Sequence, residues 1–424
     1  MKTTKSLENI GSFGGLNFIS HEFDRLGLSH LITSSLGKRG SFSTYSYVDI
    51  IKNLCLIYFS GGDCAEDIQT NLKDEFKNIK NVKWCSADTI LRLQKELSTE
   101  KEIKKSKSGI ENQVNTNAGL NALNLSMLKK LKVFSEATYY DLDFDNQFIA
   151  TEKYDAKKGY KKQRGYFPSV ATIGKHIVYM ENRNGNSNVK FEQSQTLEQV
   201  FKLLKSNSIK IGRARMDCGS FTKEVIKVVT GNSQTFYIRA QRCDDLTEKI
   251  KEVKEWQRIR LNERYIEVCS LFYKPFGEEK EYRYVVSREA NRTGQTDVFL
   301  QDNFIYRAII TNDNKSGEEE IINFYNQRGS SEKIFDEMNN DFGWKNLPFS
   351  YLHQNTVFMM LMAMCRNFYL YLIAKLSEKT DFLQTGFRLK KFIFRFVTLP
   401  YKWIKKGGEL ILKLYTKKNY HLII

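Results

Sequence analysis

From Ala137 the chain runs ATYYDLDFDNQFI, and within it Asp141, Asp143 and Asp145 alternate with Leu142 and Phe144. That is the period-two pattern of a strand, so the three acids share one face. Three carboxylates on one face repel one another and need a cation, a basic neighbour or bulk water. A divalent metal is the sharper reading, because hard oxygen ligands suit magnesium; a solvated edge strand is the plainer one. A further acid, Asp217, closes the short strand IKIGRARMD, just ahead of Cys218-Gly219-Ser220 and a helix. The carboxyl end of a strand beside a helix start is a usual place for a site residue in an α/β sheet, and also a usual N-cap neighbourhood. The third stretch is Ile321 to Phe342, IINFYNQRGSSEKIFDEMNNDF, in which Phe324, Ile334, Phe335 and Met338 recur at helical spacing. It reads as one helix, with Tyr325, Arg328 and Glu332 three and four apart on one face. An aromatic hydroxyl, a guanidinium and a carboxylate so placed can hold a phosphate and a metal side by side. The plainer alternative is an Arg–Glu pair on a solvated helix.

The rest of the chain must position these groups. At 424 residues, 41% hydrophobic and 27% charged, it is long enough for two or three domains and a substantial core, and it is globular rather than disordered. Its net charge of +17 favours a polyanion, either nucleic acid or an acidic membrane. The seven cysteines are scattered with no CxxC spacing, which argues against a zinc site or a disulfide framework. The apolar run Val357 to Leu376 is interrupted by Arg366 and Asn367 and reads as a buried helix, not a membrane span. A reduced, cytoplasmic protein is expected.

In chain order, residues 1–105 read as helical, with Tyr47 to Ser60 a strongly apolar helix ended by Gly61-Gly62 and a further helix starting at Ser86. Lys101 to Asn117 is polar and basic without an apolar period, and reads as a linker. Tyr154 to Arg164, YDAKKGYKKQR, is a basic loop whose Lys157, Lys158, Lys161, Lys162 and Arg164 suit phosphate contacts. Two strands follow, then a helix from Thr196 to Leu204 and the strand ending in Asp217. The segment from about Cys243 to Thr311 is β-rich after a charged helix at Leu246 to Ile259. The tail from Gly386 to Lys418 interleaves basic residues with Phe387, Phe392, Tyr401 and Trp403, a mix that can lie on nucleic acid or an anionic membrane.

With these motifs in order, the chain resembles the bacterial insertion-sequence transposases of the DDE type. DLDFDNQF resembles that family's first-Asp strand and RARMDCGSF its second-Asp strand. YNQRGSSEKIFDEMNNDF resembles its Tyr-(2)-Arg-(3)-Glu-(6)-Lys signature, with Tyr325, Arg328 and Glu332 in place and Asn339 at the Lys position. Lys345 or Lys333 is the candidate substitute for that lysine. LHQNTVFMMLMAMCRNFYLYL resembles the family's Asn-containing apolar helix, and GGDCAEDIQTNLKDE its Gly-Gly acidic segment, so the similarity covers nearly the whole chain.

The resemblance implies a ribonuclease H-like α/β fold: a mixed five-stranded core split by a β-rich insertion. Around it stand an N-terminal helical DNA-binding domain (1–105), a linker and helix (106–136), the first part of the core (137–242), the insertion (243–311), the second part of the core (312–380) and a basic helical C-terminal region (381–424). It implies catalytic, metal-binding Asp143, Asp217 and Glu332, with Asp141 as the alternative first ligand. Two Mg2+ ions per site are expected, with Mn2+ able to substitute. Tyr325 and Arg328 are expected on the DNA phosphate beside the cut. The partners implied are double-stranded DNA (terminal inverted repeats and target) and a second copy of the chain, with no membrane. The competing functions are a metal-dependent nuclease of the same core and a DNA-binding protein without catalysis.

Overall fold

The computed structural model describes residues 1–4, 8–135, 138–261, 263–291 and 303–420. Ala137, where the acidic strand was expected to begin, and 292–302 of the expected β insertion lie outside the described residues.

The chain opens with helices α1 (Gly15–Arg25), α2 (Leu28–Leu36), α3 (Tyr47–Phe59), α4 (Asp67–Thr70), α5 (Lys73–Lys77) and α6 (Ala87–Glu96). α3 starts on a capping box: Ser46 Oγ accepts the Asp49 N–H at 3.2 Å, and the Asp49 carboxylate accepts the Ser46 N–H at 2.8 Å. Lys101 to Asn117 is not an open linker. It holds the hairpin β1 (Glu102–Lys105) and β2 (Glu111–Asn115), whose polar residues suit a sheet edge and hide the period that marks half-buried strands.

After α7 (Ala118–Lys130) comes β3 (Tyr139–Asn146), the acidic strand. The basic stretch beyond it forms a small sheet of β4 (Ile149–Ala150), β5 (Lys157–Lys158) and β6 (Arg164–Tyr166). Gly165 is required there, since a Cβ would stand 2.3 Å from the Ile149 carbonyl oxygen. Then follow β7 (Ser169–Ile173), β8 (His176–Arg183), α8 (Gln193–Ser206), β9 (Lys210–Met216), α9 (Lys223–Asn232) and β10 (Thr235–Arg239). β8, β7 and β3 form an antiparallel meander, and β9 and β10 continue it parallel to β3. This is the mixed five-stranded ribonuclease H-like core.

The β-rich segment does not form a separate body. α10 (Asp244–Glu252) is shorter than expected, and the chain then enters β11 (Gln257–Leu261), β12 (Arg264–Tyr273), β13 (Tyr282–Ala290) and β14 (Phe304–Thr311). β14 pairs antiparallel with β10, placing Tyr237 opposite Thr311 and Arg239 opposite Ile309. The result is one eleven-stranded sheet in the order β1-β2-β8-β7-β3-β9-β10-β14-β13-β12-β11.

The expected single helix over Ile321 to Phe342 is two: α11 (Glu318–Asn326) and α12 (Ser330–Asn340), joined by a 3-10 turn at Gln327–Gly329. α13 (Leu352–Lys379) is long and apolar enough to cross a membrane, yet most of it is buried within the protein. Its two interrupting polar residues explain why. Asn367 accepts the Ile177 N–H at 3.2 Å and donates to the Ile177 carbonyl at 2.8 Å, while Arg366 pairs with Glu337 at 2.7 Å. α13 is thereby pinned to β8 and α12. The tail, expected to be helical, contains only the short α14 (Leu389–Phe392) and a π-helical turn before the hairpin β15 (Tyr401–Lys406) and β16 (Glu409–Leu414). Its residues Phe392, Phe396 and Leu399 share one apolar core with the N-terminal helices and α13.

Candidate active site

The register of β3 on β9 organises the site. An irregularity between Tyr140 and Asp141 sets Asp141 opposite Arg213 and Asp143 opposite Arg215. Each pair closes as a two-pronged ion pair, with both N–O distances 2.7 Å in each. The same spacing carried one step further brings Asp145 level with Asp217. At that rung the partner of an acid is another acid.

The charge between them comes from Arg328. Its Nη2 lies 3.0 Å from Asp145 Oδ2 and 4.0 Å from Asp217 Oδ2. Its Nε is buried without a hydrogen-bond partner. One Asp217 oxygen also accepts the Gly219 N–H at 3.0 Å, where β9 turns towards α9. Burial pushes the Asp145 carboxyl up to about 6; Arg328 opposes the rise, and Asp217 and Asp143 add to it. Burial likewise raises Asp143, against the lowering by Arg215.

Asp143, the acid expected to bridge two metals, is committed elsewhere. It is 2% exposed and both of its oxygens are taken by Arg215. Arg215 also donates to the Phe324 carbonyl at 2.6 Å and lies with Arg213 against the Phe324 ring, 4.3 and 3.8 Å from its centroid. This pair fastens the end of α11 to the sheet. The alternative first ligand, Asp141, is held by Arg213 in the same way. The acid at the open end of the ladder is Asp145.

Tyr325 is buried. Its hydroxyl donates to the Met216 carbonyl at 3.1 Å, and Arg239 lies 4.8 Å over its ring. It braces the end of β9 and is not presented to a phosphate. Glu332, on α12, is exposed and has no side-chain hydrogen bond or ion pair among the described residues. Among the described residues the one set of three ligand-type side chains that brings a ligand atom from each within 4.8 Å of the others is Asp63, Cys64 and Asp67. That set is a local turn in which the Asp67 carboxylate accepts the N–H groups of Asp63 and Cys64. The structure thus brings Asp145, Asp217 and Arg328 together, and does not close Asp143, Asp217 and Glu332 to that distance.

In the basic hairpin, Lys157, Lys158, Lys161 and Lys162 are exposed beside Tyr154 and Tyr160. Arg164 differs: it is partly exposed, but its guanidinium donates to the carbonyls of Lys153, Tyr154 and Ala156 at 3.0–3.2 Å, so it helps to build the hairpin. Lys333 and Lys345, the candidate substitutes for the lysine replaced by Asn339, are both exposed.

Do the residues present suit a divalent ion? Two half-buried carboxylates lie side by side, one of them with a raised pKa, and Arg328, which reaches both, has an unpartnered buried nitrogen. That donor set is all oxygen and anionic, as hard divalent cations require.

Among solved structures, the chain is similar to a piggyBac transposase synaptic complex with hairpin DNA, at 10% identity over 91% of this chain and 80% of that one, TM-score 0.45. It is also similar to a Mos1 transposase paired-end complex with the left transposon end, at 13% identity over 49% of this chain and 63% of that one, TM-score 0.20. At these scores neither likeness bears on the site. No curated protein matches. The family described as transposase DDE domain group 1 matches residues 3–420. With its mixed core and acid-lined strand ends, the chain belongs to the DDE transposases, DNA-binding enzymes whose chemistry depends on divalent metal.

Proposed function

We propose that this transposase cuts and rejoins DNA at the terminal inverted repeats of an insertion sequence, and that Asp145 and Asp217 are the strand-borne ligands of its metal site. Glu332 is the third acid, brought in from α12. The observation that carries the assignment is the meeting of Asp145 and Asp217 at the open end of the β3–β9 ladder, after two rungs on the same face that are Arg–Asp pairs. Magnesium is the expected ion, with manganese a working substitute; when bound, it supplies the Lewis acidity that activates the attacking oxygen and stabilises the leaving one.

The protein's own residues do the positioning. Asp145 and Asp217 sit at the ends of adjacent parallel strands, so the rigid sheet fixes their separation. Arg328 offers a planar fork suited to a phosphate oxygen pair. The Arg215–Asp143 pair and the Tyr325 hydrogen bond hold the last turn of α11, just ahead of the turn that carries Arg328, against the sheet. Lys157, Lys158, Lys161 and Lys162 bind the flanking backbone through charge. A dimer on paired DNA ends is the proposed assembly.

The test is magnesium-dependent cleavage of a terminal-repeat duplex. Asp217→Asn and Asp145→Asn should abolish cleavage while DNA binding is retained or strengthened, because each removes negative charge near phosphates. Cleavage at the wild-type rate by folded Asp145→Asn protein would remove Asp145 from the site.

A further inference from the structure

The expected helix breaks at the residue that faces the acids. Arg328 is the middle residue of the turn Gln327–Gly329, and both Gln327 and Gly329 are exposed. Its guanidinium lies between Asp145 and Asp217, closer to the first by 3.0 against 4.0 Å. The neighbouring guanidinium groups are not available for this role, since Arg213 and Arg215 each hold their own aspartate with two bonds. On the far side of the turn Glu332 stands exposed and unpaired among the described residues.

A guanidinium and a divalent ion cannot occupy the space between the same two carboxylates. Resting on the reading of this rung as the metal site, we propose that Arg328 is a displaceable latch, which fills the cation position in DNA-free protein and leaves it when a DNA phosphate draws the guanidinium away. Three features suit Arg328 to leave. Its contact to Asp217 is long, its buried Nε is unsatisfied, and it sits on a single turn between two helices, where a few dihedrals can swing it. A phosphate can take the whole fork and satisfy that nitrogen. The same movement of the joint carries α12, and with it Glu332. Metal and DNA then load cooperatively, and by linkage each raises the affinity for the other by the same factor. The enzyme would be unable to arm its site away from DNA.

The experiment measures Mn2+ binding to the full chain, from loss of the free-ion electron paramagnetic resonance signal. Wild type is compared with Arg328→Gln and Arg328→Lys. Without DNA, Arg328→Gln should bind Mn2+ at least about tenfold tighter than wild type, since a competing cation has gone. Arg328→Lys keeps the charge but loses the fork that reaches both acids, so it should also bind tighter. Adding a duplex ending in the element's own terminal repeat should tighten wild type and narrow the gap to Arg328→Gln. Equal or weaker binding by both variants, with circular dichroism like wild type, would overturn the latch, as would a gap that the duplex leaves unchanged. Adding Asp217→Asn to Arg328→Gln distinguishes the two ideas. If the double variant binds Mn2+ as well as Arg328→Gln alone, the metal-site reading itself fails; if it binds more weakly while Arg328→Gln alone matches wild type, only the latch fails.

Discussion

Asp145 is the residue on which stability and activity should part most clearly. Its carboxyl ionises at about 6 in the folded chain, against 3.8 for an unperturbed aspartate. A folded-state value above the unfolded one means that the native protein binds the proton more tightly. The associated stability is therefore fully present below about pH 3.8 and is lost as pH rises through about 6. Above that range, holding Asp145 ionised costs about 3 kcal/mol, at about 1.36 kcal/mol for each pH unit between the two values. Asp145→Asn imitates the protonated acid and escapes this cost. In the absence of metal it should unfold at higher urea than wild type at pH 8, by an equivalent of about 3 kcal/mol, with the gap shrinking below about 1 kcal/mol near pH 4. The assay is urea unfolding followed by circular dichroism at several pH values in excess chelator. A variant less stable than wild type at pH 8, or a gap independent of pH, would refute the argument. Either result would mean that the Arg328 contact outweighs burial and the Asp217 repulsion. The same variant should be inactive in cleavage, so a gain in stability would accompany a loss of function.

Three further outcomes follow from the geometry. Asp143→Ala should destabilise the fold by about 3–5 kcal/mol, because it strands the buried Arg215 guanidinium; urea unfolding reads this, and unchanged stability would return Asp143 to the list of free acids. Glu332→Gln should leave stability within about 0.5 kcal/mol of wild type, as its exposed side chain has no partner among the described residues, while abolishing magnesium-dependent strand cleavage. Replacing Lys157, Lys158, Lys161 and Lys162 with glutamine should weaken duplex binding and reduce the slope of log affinity against log salt by about 3–4, whereas Arg164→Ala should lower stability and leave that slope alone. Fluorescence anisotropy at several salt concentrations separates the two.

Much of this was written in local pattern. The period of YYDLDFDN gave the strand and put its acids on one face, and the spacing of Tyr325, Arg328 and Glu332 marked the second half of the core. The choice among Asp141, Asp143 and Asp145 was not local, because it depends on pairing with a strand some seventy residues later and on an irregularity that shifts the register before Asp141. A signal was nevertheless present. DxDxD on one strand meets RxRxD on the other, and matching the two leaves only the last acids without arginines. The break at Gln327–Gly329 was masked because apolar spacing survives across it, Phe324 and Tyr325 packing on one side and Ile334 and Phe335 on the other. The β1–β2 hairpin, at the polar edge of the large sheet, and the exposed two-stranded β15–β16 ribbon escaped notice because neither carries much apolar alternation.

The pairing of β10 with β14 also bears on how such a chain can change over time. These two strands lie side by side and antiparallel, as the arms of a hairpin do, so the whole β-rich segment hangs from one closure. Closing a chain loop grows costlier only with the logarithm of its length, by about 0.6 kcal/mol for each doubling. That entropic term sets little limit on the length of the segment, and the limit comes from packing instead. Ile259, Ile266, Val268 and Val285 of β11–β13 share one buried cluster with Ile321, Ile322 and Phe324 of α11, and Arg283 pairs with Glu318 at the start of that helix. The outer strands are thereby tied to the helix that leads on to Arg328, so a change in their number is felt at the joint that carries it.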